Sequence, residues 1–522
     1  MIKKKHWFII LFLIIINIII TLHITVDREL PIVNYIEEPV HYQESIRGHN
    51  LVNEDFYNLV EFLRSTSHAP LHYLISLILM ITLGKTVTSI ILTNIIFLGV
   101  GFIATYKLGD YLDGSKTAIY STIIFSLIPG YFIWSRAFVL ENGLVAFIPL
   151  SAYLLIKTEN FKNTSYTLFF SLSVILGMMT KISFVLYFLP IITYYFIRKK
   201  SYTKIIRNKN LIIMIIFIII IMILWKQNIF LAEQIKINII EAGNRGSLPS
   251  ILSSESLIFY PDKIFFQYLQ PLIGLIFVIS SIILVRKRDH KKSNILFAGL
   301  STILIFIIIP NKQVRFILPL TSFFSLIIAM GLTRISNIKI RLLYAFLILL
   351  STSYLFMLLI FSQNISDKLV FEEVNNMIYD NNEPVMFNKD YNINFEKLFF
   401  ELEKLNDNKY IFLSNEFIES YILDYYSDIN NYNITFIEIC SFFPETNHDE
   451  KIYHIEDYNL LTTGELKFEE YNFLYEKVGV DCQVYPYEEN FREAYKYMMS
   501  RFQLYKTVIL NKDLNIHIYI QE

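Results

Sequence analysis

Cysteine is nearly absent from this 522-residue chain: two occur, Cys440 and Cys482, both in the last third. A scaffold held by several disulfides is thereby excluded. Whether these two pair, or stay as separate thiols, depends on a separation that sequence does not give. Net charge is missing too, since 46 Lys and Arg oppose 47 Asp and Glu. The basic residues stand at the ends of apolar runs and form no basic stripe, so nucleic acid is not an expected partner. The C-terminal region has no glycine-rich phosphate loop, so no nucleotide site is assigned to it, and the chain shows no internal repeat. No small-residue cleavage site follows the first apolar run, which begins after Lys3, Lys4 and Lys5. It reads as an uncleaved first span, not a signal peptide.

What is abundant is hydrocarbon. The chain is 54% hydrophobic with mean hydropathy +0.44. Runs such as Trp7–Val26, Leu211–Trp225 and Leu342–Phe361 carry no internal charge. Each is long enough, or nearly so, to cross roughly 30 Å of hydrocarbon at about 1.5 Å per residue. The expected fold is a polytopic α-helical membrane protein of about 11 spans with a C-terminal extracytoplasmic α/β domain. The boundary falls at 361/362, and residues 27–86 form the first outer loop with interfacial helices.

Charge sets the orientation. With the N-terminus cytoplasmic, span 1 (7–26) exits into an acidic loop. Pro70–Leu83 is short for a crossing and is read as interfacial. The clusters around Arg198 and Arg286 then both fall inside, as do Lys107, Lys157 and Arg334. Were Pro70–Leu83 to cross fully, the Arg198 and Arg286 clusters would lie outside, against the positive-inside rule. From Ser362 the pattern turns polar. Strand-like runs occur at 384–387, 409–414, 434–439, 471–475, 507–510 and 516–520, with helix-like stretches at 395–405, 416–426 and 489–502 between them.

In this topology four charged features share the outer face: Glu37 with Glu38, Arg136 with Glu141, Lys181, and Lys312 with Arg315. Charges beside an apolar phase are costly unless paired, solvated or functional. Their convergence from separate segments is the signature of a site, although a structural ion-pair network would look the same. His68 and His72 stand four residues apart and would suit a metal, or simply begin an interfacial helix.

The order of these strings resembles the C-type, polyprenyl-phosphate-dependent glycosyltransferases, the protein O-mannosyltransferase and aminoarabinose transferase group. The matching strings are Glu37-Glu38-Pro39-Val40-His41-Tyr42, His68-Ala69-Pro70-Leu71-His72-Tyr73 and Ser135-Arg136 with Glu141. They continue with Gly177-Met178-Met179-Thr180-Lys181 and Arg315-Phe316-Ile317-Leu318-Pro319, so the resemblance covers roughly residues 1–335. The family has Asp-Glu where this chain has Glu37-Glu38, with tyrosine one place nearer, so Asp27 and Glu29 remain rivals for the first-loop acid.

The resemblance implies transfer of a sugar from a polyprenyl-phosphate donor to a hydroxyl acceptor (protein, lipid or glycan), with inversion. Glu37, Glu38 and Glu141 are the catalytic candidates. A carboxylate such as Glu37 can take the acceptor proton, and Glu141 can orient acceptor, base or metal. Arg136, Lys181, Lys312 and Arg315 are candidates for the lipid phosphate, with His68 and Tyr42 as further donor contacts. No cofactor is demanded, and a divalent metal is left open. A lipid-linked saccharide flippase and a glycan polymerase are the rival readings. The nearly uniform apolarity of 211–228 and 342–361 disfavours the first, and the acidic first loop disfavours the second. A C-terminal tag should be labelled from outside intact cells; labelling only after permeabilisation would break this topology.

Overall fold

The structure, a computed structural model, describes residues 2–25, 37–54, 58–59, 62, 66, 70–199, 208–224, 253–286, 290–309, 312–361, 395–405, 409–413, 435–438, 459–463, 502–511 and 514–521. Asp27, Glu29, His68, Cys440 and Cys482 lie outside these residues. So do the expected elements at 384–387, 416–426, 471–475 and 489–501. Two compact units emerge. The first comprises 1–26, 48–84 and 88–385; the second comprises 27–47, 85–87 and 386–522.

The helices fall where the apolar runs are. They are α1 (Lys4–Thr25), α2 (Glu37–Glu54), α3 (Leu71–Leu83), α4 (Val87–Asp113), α5 (Ser115–Leu127), α6 (Pro129–Trp134) and α7 (Glu141–Lys157). Next come α8 (Thr164–Thr180), α9 (Phe184–Lys199), α10 (Lys209–Leu224), α11 (Ser254–Asp262), α12 (Gln270–Arg286), α13 (His290–Leu300) and α14 (Thr302–Ile308). A 3₁₀ segment, Val314–Leu320, leads into α15 (Thr321–Arg334), and α16 (Ile338–Phe361) follows. By length and composition Lys4–His23, Val87–Asp113 and Val314–Arg334 can each cross a membrane alone. Ser254–Tyr268 and Gln270–Arg286 pass together as a pair bent by 115°.

Two expected spans are therefore broken. The run 117–134 divides at Ile128, because Pro129 cannot continue the preceding helix and instead starts α6. Ahead of α12, a π-helical turn at Lys263–Tyr268 is followed by Leu269 and then by Gln270, whose φ is 61°. The Gln270 carboxamide oxygen accepts from Ser351 Oγ at 2.5 Å, which ties the break to α16. α3, at 13 residues, reaches only about 20 Å.

With little hydrophobic drive between helices in lipid, close approach and polar contacts decide which pack. A Cβ at Gly331 on α15 would strike Ser280 of α12, including its backbone. Thr105 Oγ1 on α4 donates to Ser322 Oγ on α15 at 2.8 Å, and Ser151 and Ser173 join α7 to α8 at 2.9 Å. At the C-terminal ends of α4 and α15, Asp113 receives Arg334 at 3.2 Å and the Thr117 hydroxyl at 2.6 Å.

In the second unit, α17 (Phe395–Lys404) buries Leu398, Phe399 and Leu402. Among the described residues, five strands form one mixed sheet in the order β2-β1-β3-β5-β4: β1 Lys409–Leu413, β2 Thr435–Glu438, β3 Asn459–Thr463, β4 Phe502–Asn511 and β5 Leu514–Gln521. β1 runs parallel to β2 and β3, while β5 is antiparallel to β3 and β4.

Gly331→Ala should lower the thermal midpoint in detergent, because overpacking costs about 1–3 kcal/mol. Gly99→Ala, whose Cβ would meet only Ile14 at an ordinary 3.5 Å, should hold or raise it through a helix-propensity gain of up to about 1 kcal/mol. Equal effects of the two would refute close α12–α15 packing.

Candidate active site

The residues that matter sit at the end of the first unit remote from Asp113 and Arg334. Asn94 is 19 residues before Asp113 on α4, roughly 28 Å by helical rise. Glu141 opens α7 with a side chain 1% exposed. Its Oε1 accepts from Lys181 Nζ at 2.7 Å, and Arg315 Nε stands 3.6 Å from the same oxygen. Lys181 follows the end of α8, and Arg315 lies in the 3₁₀ segment before α15. Three segments far apart in sequence thus converge on one carboxylate. The approach of α7 to α8 depends on Gly143, where any Cβ would collide with Thr180.

Arg315 is held from its own segment. Its Nε donates to Gln313 Oε1 at 2.7 Å, and Tyr187 of α9 donates its hydroxyl to the Phe316 carbonyl at 2.8 Å. Lys312 has a different post. Its Nζ donates to the carbonyls of Phe306, Ile307 and Ile309 at 2.8, 2.6 and 2.6 Å. That uses all three ammonium hydrogens on the C-terminal end of α14, where helix carbonyls lack partners and a cation suits the dipole. Partial burial lowers its pKa to about 8, while the three carbonyls favour the charged form.

Arg136 lies in the α6–α7 loop, 1% exposed. Its guanidinium donates to Phe132 O, to Ser135 Oγ at 2.7 Å and to Asn17 Oδ1 of α1 at 3.0 Å, and stacks 3.8 Å above the Phe132 ring. Among the described residues it makes no ion pair. Burial lowers its pKa to about 9, yet a guanidinium keeps its proton at neutral pH, so the group is a buried cation.

The loop itself is stapled by two asparagines. Asn94 Nδ2 donates to Ser135 O at 3.1 Å and Ala137 O at 2.7 Å, and Asn142 Nδ2 donates to Trp134 O and Ala137 O, each at 3.0 Å. Behind Asn94 lies His72 of α3, fully buried, 3.2 Å from Asn94 Oδ1 and packed on Phe97 and Phe138. Burial lowers the His72 pKa to about 4, leaving a neutral ring.

Of the residues expected from sequence, Glu141, Lys181 and Arg315 are therefore brought into contact, and Arg136 joins them in the loop that leads to Glu141. Glu37 and Glu38 open α2 in the second unit with side chains outside the described set, where Tyr42 is buried. Among the described residues no three His, Cys, Asp or Glu side chains form a metal cluster. Asn17, Asn94, Asn142, Gln313 and the neutral His72 were not foreseen as supports. Their one signal is polarity inside or beside apolar runs, which is rarely idle.

Residues 67–225 match the family model for dolichyl-phosphate-mannose-protein mannosyltransferase. No curated protein sequence matches the chain. In structure the protein is similar to ArnT from Cupriavidus metallidurans, bound to undecaprenyl phosphate, with TM-score 0.60, 9% identity and coverage of 99% of this chain and 98% of that one. The same protein in the apo state aligns with TM-score 0.60 at 10% identity over 99% and 98%. The protein therefore shares the fold of ArnT. The resemblance read from the sequence is borne out in the fold, and the family-model match over residues 67–225 agrees with it. The Archaeoglobus fulgidus oligosaccharyltransferase aligns less closely, at TM-score 0.47 and 10% identity over 88% of this chain and 69% of that one.

Glu141→Gln should destabilise the protein by about 3–5 kcal/mol, because it strands cations in a buried setting. Lys181→Met in the same background should recover part of that loss in thermal unfolding. Strict additivity of the two changes would mean the 2.7 Å contact is not an energetic pair.

Proposed function

We propose that this protein is a membrane glycosyltransferase moving a sugar from a polyprenyl-phosphate donor to a hydroxyl acceptor on the outer face of the membrane, with inversion. The observation that carries it is the buried charge set. Among the described residues, Lys181 and Arg315 converge on the buried Glu141 carboxylate, and Arg136 places a third cation in the loop that leads to it. A fold shared with a protein crystallised with undecaprenyl phosphate supports the lipid-phosphate donor.

The chemistry asks for two things. The acceptor O–H must lose its proton as its oxygen bonds to the anomeric carbon, and Glu37 is the proposed base, with Glu38, Asp27 and Glu29 as alternatives. The anomeric C–O bond to phosphate breaks, and the departing polyprenyl phosphate gathers negative charge. Fixed cations held in a low dielectric stabilise that charge strongly, which is the role given to Arg136, Lys181 and Arg315. Glu141 orients the two cations it touches. Lys312, committed to a helix end, supports the segment that carries Arg315. His68 and Tyr42 are proposed donor contacts. The C-terminal region, residues 362–522, is proposed as an extracytoplasmic α/β domain that recognises the acceptor or braces the outer loops.

One observation favours a second reading, a lipid-linked saccharide flippase. The 115° break between Ser254–Tyr268 and Gln270–Arg286 is the kind of discontinuous helix that transporters use. Sugar transfer separates the two. Purified protein in nanodiscs should move labelled sugar from a polyprenyl-phosphate donor to acceptor, and Glu37→Gln should lower kcat by about 10²–10⁴-fold. Full activity of that variant removes Glu37 as base. Lipid translocation without transfer by the wild type would establish the flippase.

A further inference from the structure

No step of the proposed reaction uses His72. Its surroundings give it a job. Asn94 spends both amide hydrogens on the carbonyls of Ser135 and Ala137, the residues either side of Arg136. That fixes which way the carboxamide points, so Oδ1 must face His72 Nε2, 3.2 Å away. An oxygen there only accepts, hence Nε2 carries the imidazole hydrogen and Nδ1 is bare. Nδ1 is buried with no hydrogen-bond partner among the described residues. A ring clamped between Phe97 and Phe138, at 4.7 and 4.9 Å, cannot readily turn away from this contact. The chain of contacts thus runs from α3 through α4 to the backbone flanking the buried guanidinium.

We propose that His72, acting through Asn94, is a positioning residue that holds Arg136 in place for the phosphate of the lipid donor. This rests on the glycosyltransferase reading for its ligand, though not for its geometry. Arg136 is fixed by three supports. Asn17 and the Phe132 ring hold the guanidinium, Asn142 holds the carbonyls of Trp134 and Ala137, and the His72–Asn94 pair holds those of Ser135 and Ala137, immediately either side of the residue itself. Loss of the pair frees the loop while leaving the cation present, so both donor binding and stabilisation of the departing phosphate weaken.

The test combines steady-state kinetics with hydrogen–deuterium exchange of the peptide spanning 134–142 in the full-length protein in nanodiscs. His72→Phe keeps the packing on Phe97 and Phe138 but donates nothing. Glutamine places its amide nitrogen about where imidazole has Nε2, whereas asparagine reaches only as far as Nδ1. His72→Phe, His72→Asn and Asn94→Ala should speed exchange of the 134–142 peptide and raise the donor KM about tenfold, the scale of one buried hydrogen bond. Their kcat should fall as well, by a similar factor, because Arg136 also meets the charge that develops on the departing phosphate. His72→Gln should recover most of both effects. Unchanged exchange in His72→Phe, or equal behaviour of the Gln and Asn variants, overturns the positioning role. Should the exchange pattern appear as described while wild-type protein transfers no sugar, the positioning stands and the enzyme reading falls.

Discussion

A carboxylate cannot remain ionised among packed apolar helices unless cations meet it, since desolvating a lone charge costs several kcal/mol after relaxation. Glu141 is the point where this protein accepts that cost. It is nearly inaccessible, at the first residue of α7, and its neighbours Lys181 and Arg315 arrive from the ends of other helices. That requirement links α7, α8 and the segment before α15 at one end of the first unit. The tight α7–α8 approach at Gly143 follows from the same demand, because Lys181 reaches Glu141 only if the helices nearly touch.

Around the charges lies a set of uncharged supports. Asn17 reaches Arg136 from α1, Asn94 and Asn142 share the Ala137 carbonyl, and Gln313 holds the Arg315 Nε. Amide side chains suit this work because each both donates and accepts, closing backbone groups that a loop leaves open. Cations so fixed need little reorganisation when a phosphate develops charge, and preorganised electrostatics of this kind is where transfer enzymes gain most. At the other end of α4 the Asp113–Arg334 pair and the Thr117 hydroxyl tie helices together in a way that asks for no ligand.

Much of the helical layout was legible because uninterrupted apolar runs leave few alternatives to a helix in lipid. The short helix at 71–83 and the helices at 87–113, 164–180 and 338–361 lie close to their sequence-expected positions. Breaks were harder. Gln270 at φ 61° gives no sequence signal, and Pro129 was absorbed into a run that hydropathy alone treats as continuous. β3, with its sequence Asn-Leu-Leu-Thr-Thr, lacks the aromatic and β-branched density that marked β1 and was missed. At the site, charge could be read but its partner could not. Lys312 and Lys181 look alike in sequence, yet one caps a helix and the other meets a buried acid. The asparagines escaped notice because an amide within an apolar run carries no charge to balance.

The central claim is that the end of the fold bearing Arg136, Lys181 and Arg315 receives the lipid phosphate. The most direct measurement is a cryo-EM map of the protein in nanodiscs supplied with undecaprenyl phosphate. Density for the phosphate within hydrogen-bonding reach of at least one of those three side chains is expected. Phosphate density beside Arg334 at the opposite end of α4, with the Arg136 loop left empty, would contradict it.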